Sequence, residues 1–296
     1  MGSQQREDLT GQVIIVTGAN SGIGKETAVA LAQMGATVVM TARSASKGEA
    51  ARADVMERSG SDRVVLGSLD LASFASIRAF AAWFVAEFDR LDVLVANAGL
   101  IVDERRETAD GFELMFGTNH LGHFLLTDLL RERLVESAPS RVVVVSSIAH
   151  RWALKGLDRT DLQSTRRFSG TRAYGLSKLA NVLFAFELGR QLADAGVLVN
   201  AVHPGSIHSG FATDGDTKAS GLGWWMATFG PYVLRTPKAG AKTQVMLASS
   251  TQPRVAGKTG GYWSHGRRWP ASRHARNRDE ARWLWEESAR LVAEAP

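Results

Sequence analysis

Tyr174 and Lys178 stand four residues apart in YGLSK, so a helix would carry a phenol and an ammonium on one face. A free phenol titrates near pH 10, too high to exchange protons readily at neutrality, and a neighbouring ammonium favours the phenolate and lowers that value. The pair is a candidate proton relay. Ser147 closes the apolar run RVVVVSS, where a buried strand would bring its hydroxyl to the rim of a sheet, able to hydrogen-bond a carbonyl oxygen. Asn119, in GTNHLGHF, is unusual for a helix interior and suits a bend or a held water. TGANSGIG then places Gly18, Gly22 and Gly24 where an apolar run meets a helical pattern, with Thr17, Asn20, Ser21 and Ile23 completing the turn. Glycines there let the backbone approach phosphates while helix amides face negative charge. Together these residues are equipment for moving a hydride from a dinucleotide and a proton at the same time. Singly, each has a plainer reading: a surface Tyr–Lys pair, a strand-end serine, a local Asn cap, a turn.

The elements that would hold them alternate. Apolar runs QVIIVT, TVVMTA, RVVLGS, LDVLVA, RVVVVS, VLVNAV and a short one at GGYWS are separated by helical spacing over 22–34, 45–59, 73–89, 110–136, 171–195, 237–249 and 279–292. Such alternation predicts an α/β fold: one doubly wound Rossmann domain over 1–296, with a seven-stranded, mainly parallel sheet flanked by helices. Two stretches break the rhythm. Residues 149–170 are polar and basic, and 205–236 hold Trp224, Trp225, Met226, Phe229 and Tyr232, a candidate substrate lid whose aromatic side chains suit an apolar substrate or simple packing.

At the end of the second run the position that carries an acid in NAD enzymes is Ala42, followed by Arg43. An uncharged residue before an arginine suits a 2′-phosphate, with Lys25 as a second cation, so NADP(H) is preferred over NAD(H). Asp70 and Leu71, in LGSLDLAS, are placed for the adenine edge, or for an ordinary loop. Asn97-Ala98-Gly99 after the fourth run would floor the nucleotide site.

Composition excludes as much as it suggests. The chain has 296 residues and no cysteine, which removes disulfides, thiolate nucleophiles and cysteine-held zinc. His120 and His123 form HxxH without a third ligand and are expected as packing or surface groups, not as a metal site. Arg267, Arg268, Arg273, Arg276 and Arg278 crowd beside Trp263 and Trp269, yet no nucleic-acid motif accompanies them, and a solvated basic segment is expected. No apolar run spans a bilayer, MGSQQREDLT lacks a signal core, and Arg6 stands where a myristoylation signal wants Ser or Thr. A cytoplasmic protein without an integral membrane segment is expected. There is no GxSxG elbow for a serine hydrolase.

From Gln12 to about Leu291 the chain resembles the short-chain dehydrogenase/reductase family. The glycine motif falls on Thr17, Gly18, Gly22 and Gly24, the NNAG motif on Ala96-Asn97-Ala98-Gly99, and a Pro-Gly motif on Pro204-Gly205. The resemblance implies a catalytic tetrad of Asn119, Ser147, Tyr174 and Lys178, with Lys178 also on the nicotinamide ribose. NSGIGKETA, TNHLGHFLLT, VVVSSIAH and SKLAN look like the retinol-dehydrogenase-like branch, where Ser209 replaces a usual Thr beside the carboxamide. The implied activity is interconversion of a lipophilic aldehyde or ketone and its alcohol, usually with NADP. Alternatives are an NAD-dependent alcohol dehydrogenase and a non-catalytic dinucleotide-sensing protein. Ser147 and Tyr174 lie farther apart than in compact members, which marks 149–170 as an insertion. Family members pair through the helices at 110–136 and 171–195, so a homodimer or homotetramer is possible through Leu176, Leu179, Leu183 and Phe184, unless these pack on the sheet.

Overall fold

The computed structural model describes residues 7–205 and 236–295. In chain order its elements are β1 (Val13–Val16), α1 (Gly22–Ala32), β2 (Thr37–Ala42), α2 (Ala45–Ser59), β3 (Val64–Ser68), α3 (Phe74–Glu87) and β4 (Val93–Ala96). There follow α4 (Leu114–Phe116), a π turn (Gly117–Leu121), α5 (Gly122–Leu129), α6 (Arg131–Glu136), β5 (Ser140–Val145) and a 3-10 turn (Ile148–Trp152). The chain continues with α7 (Gly170–Gln191), β6 (Val197–His203), α8 (Pro237–Ser249), β7 (Gly261–Ser264), β8 (Arg267–Trp269) and α9 (Arg278–Glu294).

Alternate side chains of each strand enter different cores because strand side chains point to opposite faces. Val13, Ile15, Val142 and Val144 join α3, α5 and α7, whereas Ile14, Val16, Val143 and Val145 join α1, α2 and α8. Both faces are therefore dry, as the unbroken apolar runs require. The sheet order is β3-β2-β1-β4-β5-β6-β7-β8, parallel from β3 to β7. The chain leaves β1 toward one edge and returns at β4 to build toward the other. That reversal opens a crevice at the C-terminal ends of β1 and β4, where open α/β sheets bind ligands.

Three expectations change in detail. The sheet has eight strands rather than seven, because β8 folds back antiparallel on β7 through His265 and Gly266, whose φ values of 53° and 71° suit a two-residue hairpin turn. The basic segment at Arg267 and Arg268 is thus an exposed edge strand, and arginines are suitable there because they discourage pairing with another chain. The helix expected over 110–136 starts at Leu114, widens into the π turn and is interrupted at Leu130. Finally, Leu176, Leu179, Leu183 and Phe184 lie in the core of this chain and pack on its own sheet.

Within 149–170 the path is held by local polar contacts, since Asp161 accepts hydrogen bonds from the amides of Thr165 (2.7 Å) and Arg166 (3.1 Å). The buried Glu280 of α9 accepts from the Leu157 amide at 2.7 Å. The candidate lid, apart from Gly205 and Thr236, lies outside the described residues. Among the described residues no helix is long and apolar enough to cross a membrane.

His120 ties the π turn to the C-terminal helix. Its ring is buried among Phe116, Phe124 and Phe184, and its Nε2 bonds the Ser288 hydroxyl at 2.9 Å. Burial pushes its pKa down to about 3, with His123 adding to the effect. An unfolded histidine takes a proton below about pH 6.5, whereas this one stays neutral while folded, so its stabilising contribution is complete above 6.5 and is lost as pH falls toward 3. Urea unfolding at successive pH values should show stability falling between pH 6.5 and 4, and His120→Phe should make that fall shallower.

Candidate active site

The turn after β1 is shaped by its glycines. Gly18 and Gly22 have φ of 62° and 54°, and a Cβ on Gly24 would collide with the Gly18 carbonyl oxygen and lie 2.6 Å from Asn97 Nδ2. The following helix has no acidic residue in its first turn, and the Ser21 hydroxyl does not cap it. Its first amides are therefore available to an anion. This close-packed glycine cradle at the head of a helix fits a dinucleotide pyrophosphate. Asn20, Ser21 and Ile23 lie along the same turn, exposed or half-buried.

Thr17 joins this turn to the end of β4. Its hydroxyl accepts from the amides of Asn97 (2.8 Å) and Ala98 (2.9 Å), while Asn97 Nδ2 donates to the Thr17 carbonyl at 2.8 Å. Gln244 of α8, which sequence reasoning missed, reaches Thr27 and, at 3.4 Å, Asn97 Oδ1. Nothing in its local pattern marks it, because its partners are more than a hundred residues away.

Arg43 lies exposed at the end of β2, directly after the buried Ala42. Lys25 is paired with Asp54 of α2 at 3.0 Å. Asp70 accepts from the Ala72 amide at 2.9 Å, and Leu71 is buried against Gly122. Pro204 and Gly205, half-buried with φ of 94° at Gly205, follow β6. Ser209 lies outside the described residues.

The tetrad residues converge. Ser147 heads the 3-10 turn after β5, its hydroxyl accepting from the Ala149 amide at 3.2 Å and near enough to the Tyr174 phenol to favour the phenolate. His150, also missed, donates from Nδ1 to the Ser147 carbonyl at 2.7 Å and accepts at Nε2 from the Ser272 amide at 3.1 Å, which fixes the backbone after Ser147. Lys178 is buried, donates to the Val145 carbonyl at 3.3 Å, and has its Nζ 5.6 Å from the centre of the Tyr174 ring. Asn119 sits in the π turn. Its Oδ1 accepts from the Leu100 amide at 2.8 Å, and its Nδ2 donates to the Leu100 carbonyl and the Ser177 hydroxyl, each at 3.0 Å. Ser177 in turn donates to the Tyr174 carbonyl at 2.9 Å. A Cβ on Gly99 would stand 3.2 Å from both Asn119 Oδ1 and Lys178 Nζ, so a larger residue would press on both.

The electrostatics differ from the expectation that Lys178 lowers the Tyr174 phenol. Burial pushes the phenol up to about 12, offset only in part by the nearby Ser147 hydroxyl, and burial brings Lys178 down to about 8. Both charged forms lose hydration, and this outweighs their mutual help. Tyr174 is held firmly protonated, as a proton donor must be before it acts.

The short chain dehydrogenase family model matches residues 12–159. Human retinol dehydrogenase 11 is 43% identical over 96% of this chain and 86% of its own length, and human retinol dehydrogenase 12 is 44% identical over 96% and 87%. A crystal structure of an uncharacterized protein from Mycobacterium paratuberculosis superposes with a TM-score of 0.75 and 34% identity, covering 99% of this chain and 97% of that one. A short chain dehydrogenase from Shigella flexneri 2a, in a structure described as complexed with NADP, shares the fold at 24% identity, TM-score 0.68, over 88% and 99% of the two chains. With the family's glycine turn at the head of α1 and its Ser, Tyr and Lys gathered at the mouth of the same crevice, the chain belongs to the short-chain dehydrogenase/reductase family, as a retinol-dehydrogenase-like oxidoreductase with a nicotinamide dinucleotide cofactor.

Proposed function

We propose that the protein is an NADP(H)-dependent oxidoreductase that interconverts a lipophilic aldehyde or ketone and its alcohol. The observation that carries this reading is the gathering of Ser147, Tyr174 and the buried Lys178, whose Nζ lies 5.6 Å from the centre of the Tyr174 ring and against the Gly99 floor. A protonated phenol and a serine hydroxyl aimed together can hold a carbonyl oxygen from two sides.

When bound, the nicotinamide supplies the hydride. Ser147 donates to the substrate oxygen and polarises the carbonyl, and Tyr174 gives that oxygen its proton as negative charge develops. Oxidation of the alcohol reverses these roles. Contact with ribose hydroxyls and with charge on the phenolate would favour the ionised form of Lys178, and an ionised lysine stabilises the phenolate that remains. Asn119 braces the floor, because its side chain is already engaged with Leu100 and Ser177. A water relay at this residue would use the second lone pair of its main-chain carbonyl.

The preference for NADP(H) rests on Arg43 after the uncharged Ala42, since a guanidinium pairs with a 2′-phosphate where an acid would repel it. The names of the retinol dehydrogenase relatives support a lipophilic alcohol or aldehyde as substrate. A cytoplasmic location accords with this reading.

The test follows absorbance of NADPH and, separately, NADH as the purified protein meets a panel of lipophilic aldehydes and ketones. NADPH oxidation should be faster, and Tyr174→Phe should cut the turnover number by roughly 10²- to 10⁴-fold. Arg43→Asp should weaken NADPH by roughly tenfold or more and leave NADH little changed or improved. Equal response of the two nucleotides to this variant would remove the argument from Arg43. In calorimetric titration Gly24→Ala should abolish saturable binding of either nucleotide, because its methyl group collides with the Gly18 carbonyl and forces the turn out of shape.

A further inference from the structure

His123 was expected to be a packing or surface histidine, yet it lies between the nucleotide turn and the proton-relay helix. Its Nε2 is 2.9 Å from the Thr17 hydroxyl and its Nδ1 is 3.1 Å from the Asn119 carbonyl oxygen. The ring is 1% exposed.

The direction of each bond can be worked out. A hydroxyl has one hydrogen and two lone pairs. Thr17 accepts from the Ala98 amide and shares the Asn97 amide with the Val95 carbonyl, and because the Asn119 carbonyl can only accept, His123 Nδ1 carries the ring hydrogen and Nε2 is left to receive the Thr17 hydrogen. The Val95 carbonyl is 3.4 Å off and His123 Nε2 is 2.9 Å, so the hydrogen goes to the ring. Nε2 is therefore an acceptor, and the ring proton sits on Nδ1, donated to the Asn119 carbonyl. A second proton on the ring would face a donor, and burial holds the pKa down at about 4.

We propose that His123 is a positioning residue, locked as the Nδ1–H tautomer, that couples the nucleotide turn through Thr17 to the tetrad through Asn119. This inference rests on the functional reading given above. From Thr17 one branch holds the Asn97 and Ala98 amides beneath the nucleotide. From Asn119 the other branch runs through Ser177 to the backbone of Tyr174. The ring is rigid, and its two nitrogens fix the spacing between the branches. Ordinary core packing would use the ring's volume, whereas this arrangement uses both nitrogens in fixed directions.

The two branches can be cut separately. His123→Gln keeps an acceptor near the Nε2 position and loses the donor to Asn119. His123→Asn keeps a donor near Nδ1 and does not reach Thr17. In NADPH-dependent turnover, His123→Gln should lower kcat by roughly ten- to a hundredfold with the nucleotide KM near that of the parent, and His123→Asn should raise the nucleotide KM by roughly tenfold with a smaller loss in kcat. Histidine-selective nitrogen NMR on the intact protein should find His123 as the Nδ1–H tautomer. Should neither histidine variant fold, Thr17 decides: Thr17→Val should weaken NADPH binding, and Thr17→Ser should restore it. An Nε2–H tautomer, unchanged kinetics in both variants, proportionate losses of kcat and affinity in both, or equal behaviour of the two Thr17 variants would each overturn the coupling. A parent protein that binds neither nucleotide would instead overturn the functional reading.

Discussion

The Thr17 hydroxyl is the contact on which the arrangement of the site depends. It sits, fully buried, where β1 and β4 part, and it satisfies two amide donors from the end of β4 while its own hydrogen goes to a helix beyond. Leaving the Ala98 amide without this acceptor would cost about 1–3 kcal/mol, whereas the Asn97 amide also reaches the Val95 carbonyl at 2.9 Å. The reversal of strand order creates the crevice, but this one side chain holds its two lips at a fixed separation. The glycine turn is then free to face a ligand rather than to support itself, and the Gly99 floor can lie against Asn119 and Lys178.

Dryness is the second constraint. The sheet is covered on both faces, and where the end of β5 meets the start of α7 Lys178 is buried while Ser147 and Tyr174 are half-buried. Tyr174 and Lys178 consequently start from protonation states set by desolvation, the phenol high and the amine low. Charge that develops on a substrate oxygen enters this environment, where fixed donors act more strongly than they would in water. Ser177, His150 and His123 each reach a main-chain carbonyl of the candidate tetrad, on Tyr174, Ser147 and Asn119 respectively.

Much of this was legible in the chain. The apolar runs mark the first seven strands to within a residue or two, because a strand buried on both faces has no polar position to blur its edges. Asn119 announced an irregular helix, and the π turn is that irregularity. What stayed hidden had non-local causes. β8 is three exposed residues whose pairing depends on a turn at His265 and Gly266, so its composition reads as solvated chain. Lys25 resembles a phosphate ligand until α2 brings Asp54 to it. The raised Tyr174 phenol depends on burial that spacing alone does not reveal, and His123 acquires its partners only when strand ends 106 residues away in sequence come together. One local sign pointed to it: His123 lies four residues after Asn119, the distance at which a helical side chain reaches back to a carbonyl.

The account stands on hydride and proton reaching one substrate in one crevice. The most direct measurement supplies NADPH carrying deuterium at the transferable position of nicotinamide C4, with a lipophilic aldehyde, and analyses the alcohol product by mass spectrometry and NMR. The account predicts one deuterium on the former carbonyl carbon, added to a single face, with the label transferred at a sharply lower rate in Tyr174→Phe. Saturable NADPH binding with no deuterium in any product across aldehydes and ketones, or labelled product formed equally fast without the Tyr174 hydroxyl, would contradict it.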